Sequence, residues 1–356
     1  MNRSGRTVLW WGRFDPDYSR NRILRQAYIK LGWQVADFHP VVSPLGDFEA
    51  RLRQPPQADL VHVPCFRQRD LNAAARYARR HHLPLLFDPL ISAFDKQVYE
   101  RRKVSPCTTA ARQLLHEEQQ QFANADIVLA DTPEHARFFA EILYVAPEKL
   151  HVVYVGAEDS LFRPLPHEPR PPLEVLFYGS FIPLQGPQVI IEAARLYQGP
   201  PVRWTLLGNG PLKRMCHQDA AMLDNVTFED WVAYDHLPVR MARADILLGV
   251  FGNTPKALRV IPNKVFQGLA CGKPLITGAA PAYPDELRAE LRSGITWVPM
   301  NDPAALATAV AGVAAHPDQL VEEGLRARAT YERFFASAVV TAQLDTALAS
   351  LRPEPG

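Results

Sequence analysis

Short apolar runs alternate with longer amphipathic stretches along nearly the whole chain. In the first half, Thr7–Trp11, Gln34–His39, Leu60–Pro64, Leu85–Phe87, Ile127–Ala130 and His151–Val155 read as buried strands. In the second, Glu174–Tyr178, Arg203–Leu207, Val226–Phe228, Ile246–Val250 and Leu275–Thr277 continue the series. Helical periodicity lies between them, as at Arg20–Leu31, Val189–Leu196, Leu237–Arg243 and Ala304–Ala314. A last helix is expected over roughly Glu322–Leu351. Repeated strand–helix alternation predicts an α/β protein with two mainly parallel, doubly wound sheets, helices covering both faces. Such sheets bind ligands beyond the carboxyl ends of their strands, so two facing domains would share one cleft.

The segment Phe162–Leu173 carries five prolines and divides the two alternating blocks. It reads as a stiff, extended linker outside any core. The expected organisation is residues 1–165 and 166–325 as domains, with a terminal helix over 326–356 crossing back to the first. Composition is that of a water-soluble globular chain, 47% hydrophobic and 22% charged. Lys+Arg number 39 against Asp+Glu 38, which gives no general basicity for nucleic acid. No apolar run reaches the roughly 18 residues of a membrane span. The apolar run of the N-terminus is too short for a signal peptide, so a cytoplasmic protein is expected. Cys65, Cys107, Cys216 and Cys271 are far apart and read as buried or inert thiols.

The segment Arg259–Gly278, RVIPNKVFQGLACGKPLITG, is the richest in chemistry. Pro262 and Asn263 read as a helix start, with asparagine as cap, and Gly272 as a left-handed stop. Lys264 then stands in the first turn, where the helix dipole disfavours a cation by roughly 0.3–1 kcal/mol. A bound phosphate or diphosphate would reverse that penalty. From Ile246 to Pro284 there is no Asp or Glu, while Lys256, Arg259, Lys264 and Lys273 are cationic. A solvated surface lysine is the bland alternative. Gln267 lies one turn deeper on the same face.

This segment resembles the second-domain motif of retaining glycosyltransferases of the GT-B type, family four (group 1 transferases). The resemblance extends in order through FYGSFIPLQGPQVIIEAARL, WTLLGNGPL and VTFEDWVAYDHLPVRMARADILLGV, and in the first half through ANADIVLADTPEHARFF and VVYVGAEDSLFRP. It implies two Rossmann-like domains facing a cleft, and sugar transfer from a nucleoside-diphosphate sugar to a hydroxyl acceptor, with retention and without metal. The acceptor would be a sugar or growing polysaccharide, a lipid-linked sugar or a small molecule, and no cofactor beyond the donor is expected.

The resemblance places Gly179 and Ser180 in the donor loop, and Trp231 and Val232 in the base-binding turn. Ser180 and Gln185 are neutral where the family commonly has an arginine and a lysine, leaving Arg259 and Lys264 to meet the diphosphate. The family's Glu-x7-Glu becomes Arg259 and Gln267; the amide could still reach ribose hydroxyls. Gly208 reads as a turn beside the donor base or as a plain strand-to-helix turn.

In the first half the loop Gly12–Asn21 is dense with Arg13, Asp15, Asp17, Tyr18 and Arg20, Ser19 being a candidate helix cap. Arg20, again a cation in a first turn, is a candidate for closing over a diphosphate. Asp88 stands at a strand's carboxyl end, near where the family often has a histidine, with Asp95 farther on. Asp88 reads as an orienting or charge-stabilising group, as a general base in an inverting enzyme, or as a cap beside Pro89. Asp15 and Asp17 precede a helix rather than forming a metal pair, and the histidines show no ligand spacing. Ala75–His82 is basic; it reads as a solvated helix face or as a peripheral membrane contact. Two other functions remain open: a catalytically degenerate binding subunit of the same fold, and a sugar-nucleotide epimerase or phosphorylase.

Overall fold

The computed structural model describes residues 5–101 and 103–351, so the ends of the expected terminal domains, 1–4 and 352–356, lie outside the described residues. The chain forms two compact units, Met1–Gly156 with Ser337–Gly356, and Ala157–Ala336.

In the first unit the chain runs β1 (Thr7–Trp11), α1 (Ser19–Lys30), β2 (Gln34–Phe38), α2 (Gly46–Arg53), β3 (Leu60–Val63) and α3 (Gln68–Arg80). It continues with β4 (Leu85–Phe87), α4 (Ala93–Asp95), α5 (Thr109–Phe122), β5 (Ile127–Ala130), α6 (Pro133–Glu141) and β6 (Leu150–Val152). All pairings in the sheet are parallel, in the order β2-β1-β3-β4-β5-β6. The strands β1, β3, β4 and β5 are apolar and almost wholly buried because helices cover both faces.

The second unit runs β7 (Leu173–Tyr178), α7 (Pro187–Leu196), β8 (Val202–Leu207), α8 (Lys213–Asp219), β9 (Val226–Glu229), α9 (Leu237–Ala242) and β10 (Ile246–Leu248). Then follow α10 (Asn263–Ala270), β11 (Leu275–Gly278), α11 (Asp285–Ala289), β12 (Ile295–Val298), α12 (Pro303–Ala314) and α13 (Leu320–Phe334). This sheet is also parallel, in the order β12-β11-β10-β7-β8-β9. The chain ends its described course in α14 (Ser337–Ala349).

Three differences from the sequence reading have physical causes. The proline-rich segment is not wholly outside the core: Phe162 is fully buried against Tyr234, ring centroids 5.5 Å apart. The units accordingly divide at Gly156, rather than at 165. The expected single helix over Glu322–Leu351 breaks at Phe335, whose backbone leaves the helical region (φ −136°) while its ring packs 5.0 Å from Phe266. The part returning to the first unit thus begins at Ser337, rather than at 326. Cys107 is exposed, unlike the other three thiols.

Helix α14 is part of the first core. Val340, Leu344, Ala347 and Leu348 recur at helical spacing and join Val8, Trp10, Ile23 and Leu24 in one buried cluster. Leu344→Ala should therefore lower stability by about 2–5 kcal/mol in urea unfolding, whereas truncating the exposed Val321 should change it by less than ~0.5 kcal/mol.

Candidate functional site

Chain order in the second sheet reverses between β7 and β10, which puts a crevice at the carboxyl ends of those two strands. β7 ends at Tyr178, and Gly179 follows with φ +151°, its N–H donating to the Leu207 carbonyl at 2.9 Å. Gly208, at the end of β8, has φ +136°, and a Cβ there would lie 2.1 Å from the Gly179 carbonyl oxygen. The two turns touch through their backbones, so neither position admits a side chain.

Lys264, the second residue of α10, reaches the same point. It is only 5% exposed, and its Nζ would stand 2.8 Å from a Cβ at position 179. The ammonium lies 3.6 Å from the centroid of Phe177, on the face of the ring. Among the described residues it has no hydrogen-bond partner. Burial alone holds it well below the ordinary lysine range. Gln185 Oε1 is likewise buried without a partner, 3.5 Å from the same Cβ position. Lys264 Nζ and an amide oxygen thus converge on a glycine turn, and the lysine nitrogen is the group there able to donate to an anion.

The other donor-side residues are placed as follows. Ser180 is exposed beside Gly179, and Asn263 is half-buried at the start of α10. Asn263 does not cap that helix: Pro262 holds the cap position, without a side-chain hydrogen bond. Gln267 is buried, and its Oε1 lies 3.1 Å from the Tyr178 hydroxyl, which also lies 3.1 Å from the Lys264 carbonyl. The amide oxygen expected to meet ribose is therefore engaged in fastening α10 to β7. Arg259 is half-buried in a turn closed by its N–H to the Lys256 carbonyl at 2.9 Å. Its neighbours Ala257 and Val260 pack with Leu184 and Ile182 of the loop after Gly179. Trp231 and Val232 follow β9, Trp231 with half its surface exposed. Lys273 leaves the expected cationic group: it lies at the amino ends of β10 and β11, donating to the carbonyls of Ala242 (2.7 Å) and Ala244 (2.8 Å). Burial pushes it down to about 8.

In the first unit, strand order reverses between β1 and β3, and the loop after β1 carries the expected polar residues. Arg13 and Asp17 are exposed, and Asp15 Oδ1 accepts from the Asp17 N–H at 2.9 Å. Tyr18 is half-buried with its ring edge-on to Phe66 at 5.1 Å, and burial raises its phenol. Tyr18, not Ser19, is the residue before α1, and the helix has no side-chain cap.

Arg20 corrects the expectation of a cation closing over a diphosphate. It is fully buried, with Nε and Nη2 donating to the two oxygens of Asp88 at 3.0 Å each. Its Nη1 donates to the carbonyls of Val153 and Tyr154, both at 2.8 Å. Asp88 is correspondingly occupied: burial pushes its carboxyl up, Arg20 opposes that push, and neither oxygen is presented to solvent. Asp95 is also buried, within α4, and does not line an open surface. That short helix is held by Glu118, which accepts from Ser92 Oγ (2.6 Å) and from the N–H groups of Ala93 (2.6 Å) and Phe94 (2.9 Å).

Sequence reasoning missed Phe177 and Tyr178, which support Lys264 and Gln267 from beneath. Both looked like ordinary core positions of a buried strand, and no local signal separates the two roles. It also missed the buried Glu118 cap, whose partners are more than twenty residues away in the chain.

The fold is that of an α/β protein of two doubly wound sheets, with a glycine turn in the second against which Lys264 is buried. Residues 172–316, within the second unit, match the family model Glycosyl transferases group 1. A D-inositol 3-phosphate glycosyltransferase of Thermobispora bispora is 27% identical over 220 residues, 55% of this chain and 49% of that protein. The match thus spans about half of that relative's length. Among solved structures, sucrose-phosphate synthase from Thermosynechococcus elongatus superposes with TM-score 0.72 at 18% identity, over 97% of this chain and 99% of that one. Anabaena HepE in complex with UDP-glucose gives 0.69 at 16% identity, over 97% and 100%. The architecture of the whole chain is therefore that of the GT-B glycosyltransferases.

The Arg20–Asp88 pair yields a direct expectation. Arg20→Met or Asp88→Asn alone should cost about 3–5 kcal/mol in urea unfolding, because each strands a buried charge. Arg20→Met with Asp88→Leu should recover much of that loss. A catalytic role for Asp88 would instead appear as lost turnover with stability unchanged.

Proposed function

We propose that this protein moves a sugar from a nucleoside-diphosphate sugar, UDP-glucose or a close relative, to a hydroxyl acceptor. The observation that carries the reading is the Lys264 ammonium, buried without a partner beside Gly179 at the strand-order reversal. Negative charge grows on the departing diphosphate as the glycosidic bond to it breaks. A fixed cation in a dry site stabilises that charge more in the transition state than in the ground state. Lys264 takes this role with Arg259 on the preceding turn, and the missing side chain at Gly179 lets Nζ reach the turn where the phosphate would sit. Trp231 and Val232 take the nucleobase, and Ser180 and Asn263 line the donor.

Reaction with retention and without a metal is part of the reading. The occupation of both Asp88 oxygens by Arg20 removes Asp88 as a candidate general base acting on the acceptor. The leaving phosphate then accepts the acceptor's proton, and Lys264 supplies the charge that a metal ion supplies elsewhere. Arg13, Asp17 and Tyr18 serve the acceptor, which is a sugar, a lipid-linked sugar or a small hydroxyl compound.

Calorimetry and thermal shift with UDP and UDP-glucose test the reading on wild type and Lys264→Met. Donor at about 100 times its Kd should stabilise the wild type by roughly 2.7 kcal/mol. Loss of the charged contact should weaken binding by about 1.5–3 kcal/mol. Because burial depresses Lys264 in the free protein, the bound diphosphate should raise it and binding should take up a proton. Affinity should then fall as pH rises from the depressed value toward the ordinary lysine range, and Lys264→Met should abolish both effects. UDP binding without turnover on any hydroxyl acceptor would favour a binding subunit. Binding indifferent to pH and to Lys264→Met would refute the site.

A further inference from the structure

Gln185 stands on a turn that the surrounding backbone holds in one shape. Its N–H donates to the Ile182 carbonyl at 3.0 Å, and its own carbonyl accepts from the Phe251 N–H at 3.2 Å. Leu184 beside it packs with Val250 and Ala257. A Cβ at Gly252 would collide with the carbonyl oxygens of Pro183 and Leu184, so the two loops are in backbone contact. The turn that carries the amide is thus fixed before any ligand arrives.

The amide ends at the donor turn. Gln185 Oε1 and Lys264 Nζ lie 3.5 Å and 2.8 Å from the Cβ position of residue 179. Both atoms are buried, and neither has a hydrogen-bond partner among the described residues, so they do not bond each other. One is an acceptor that needs a donor, the other a donor that needs an acceptor. Native folds rarely leave one such group unmet, and here two complementary ones stand at the same turn.

A phosphate oxygen satisfies only half of this pair. It accepts from Lys264, but it carries no proton for Gln185, and the negative end of the amide dipole repels it. A hydroxyl satisfies both: its oxygen accepts from Nζ and its proton goes to Oε1. The ammonium has more than one N–H, so it serves a hydroxyl and a diphosphate oxygen together. We infer that Gln185 is a specificity-determining residue that reads a hydroxyl of the transferred sugar. The sugar hydroxyl nearest the leaving diphosphate is the one beside the anomeric carbon, the 2-hydroxyl, and that group bridges Lys264 and Gln185. The inference rests on the donor reading of Lys264 and names the part of the donor that Gln185 recognises.

Calorimetry with UDP, UDP-glucose and UDP-2-deoxyglucose on wild type, Gln185→Leu and Lys264→Met tests it. Leucine keeps the bulk and removes the unmet acceptor, so Gln185→Leu should melt at the wild-type temperature or above it. It should bind UDP within about twofold of wild type, and UDP-glucose about tenfold more weakly. Wild type and Gln185→Leu should bind the 2-deoxy donor alike, because the partner of the amide is then already missing. An equal loss for UDP and UDP-glucose in Gln185→Leu overturns the inference, since the amide would then meet diphosphate or ribose. Unchanged affinity of Gln185→Leu for UDP-glucose overturns it too, as does a loss that persists with the 2-deoxy donor. In each of these cases, weakened UDP binding by Lys264→Met leaves the donor site standing. Wild type that binds neither UDP nor UDP-glucose removes the donor site and this inference with it.

Discussion

Lys264 is buried where, among the described residues, no group pairs with its Nζ. A buried cation without a partner costs free energy unless it gives up its proton or finds an anion. Much around it is arranged so that the second outcome is available. Gly179 and Gly208 fold their backbones together, and the missing side chain at 179 lets Nζ stand against the turn. Phe177 offers its ring face below, and Tyr178 and Gln267 fasten the helix that carries the lysine. The strand-order reversal between β7 and β10 supplies the crevice.

Arg20 shows what the same local pattern becomes when the charge is satisfied. Both cations stand at the second position of a helix that follows a strand at a sheet's order reversal. Arg20, however, has Asp88 and two backbone carbonyls within 3.0 Å, so its guanidinium is consumed by the fold. The contrast separates a structural cation from one held ready for a ligand, and the difference is the partner, not the position. It also explains why the two sets of expected site residues fared differently. Lys264 and Gly208 meet Gly179, whereas Arg20, Asp88 and Asp95 are enclosed.

The sheets were legible because parallel strands buried on both faces are continuous apolar runs. The limits of β1, β4 and β5 coincide with those expected, and the remaining predicted strands shift by a few residues at their ends. The strand β12 escaped notice because Ile295–Val298 is short and half-exposed, with no alternation to mark it. The break at Phe335 was hidden because no glycine or proline signals it; burial of the ring against Phe266 makes it. Cation positions were legible, their partners were not. Asp88 is 68 residues from Arg20, and only the fold brings them together. Capping failed for the same reason at Ser19 and Asn263: a good cap residue one position inside the helix is no cap.

The most direct measurement is urea unfolding of ligand-free wild type and Lys264→Met across a range of pH. Methionine fills a similar volume without a charge to strand, so the variant should be the more stable by about 1–3 kcal/mol. In the window between the depressed folded value and the ordinary lysine range, the unfolded chain keeps the proton that the folded protein has lost. Wild-type stability should therefore rise with pH through that window, and the gap between the two proteins should close. A variant equal to or less stable than wild type at every pH would show that Lys264 serves the fold, and would contradict the account.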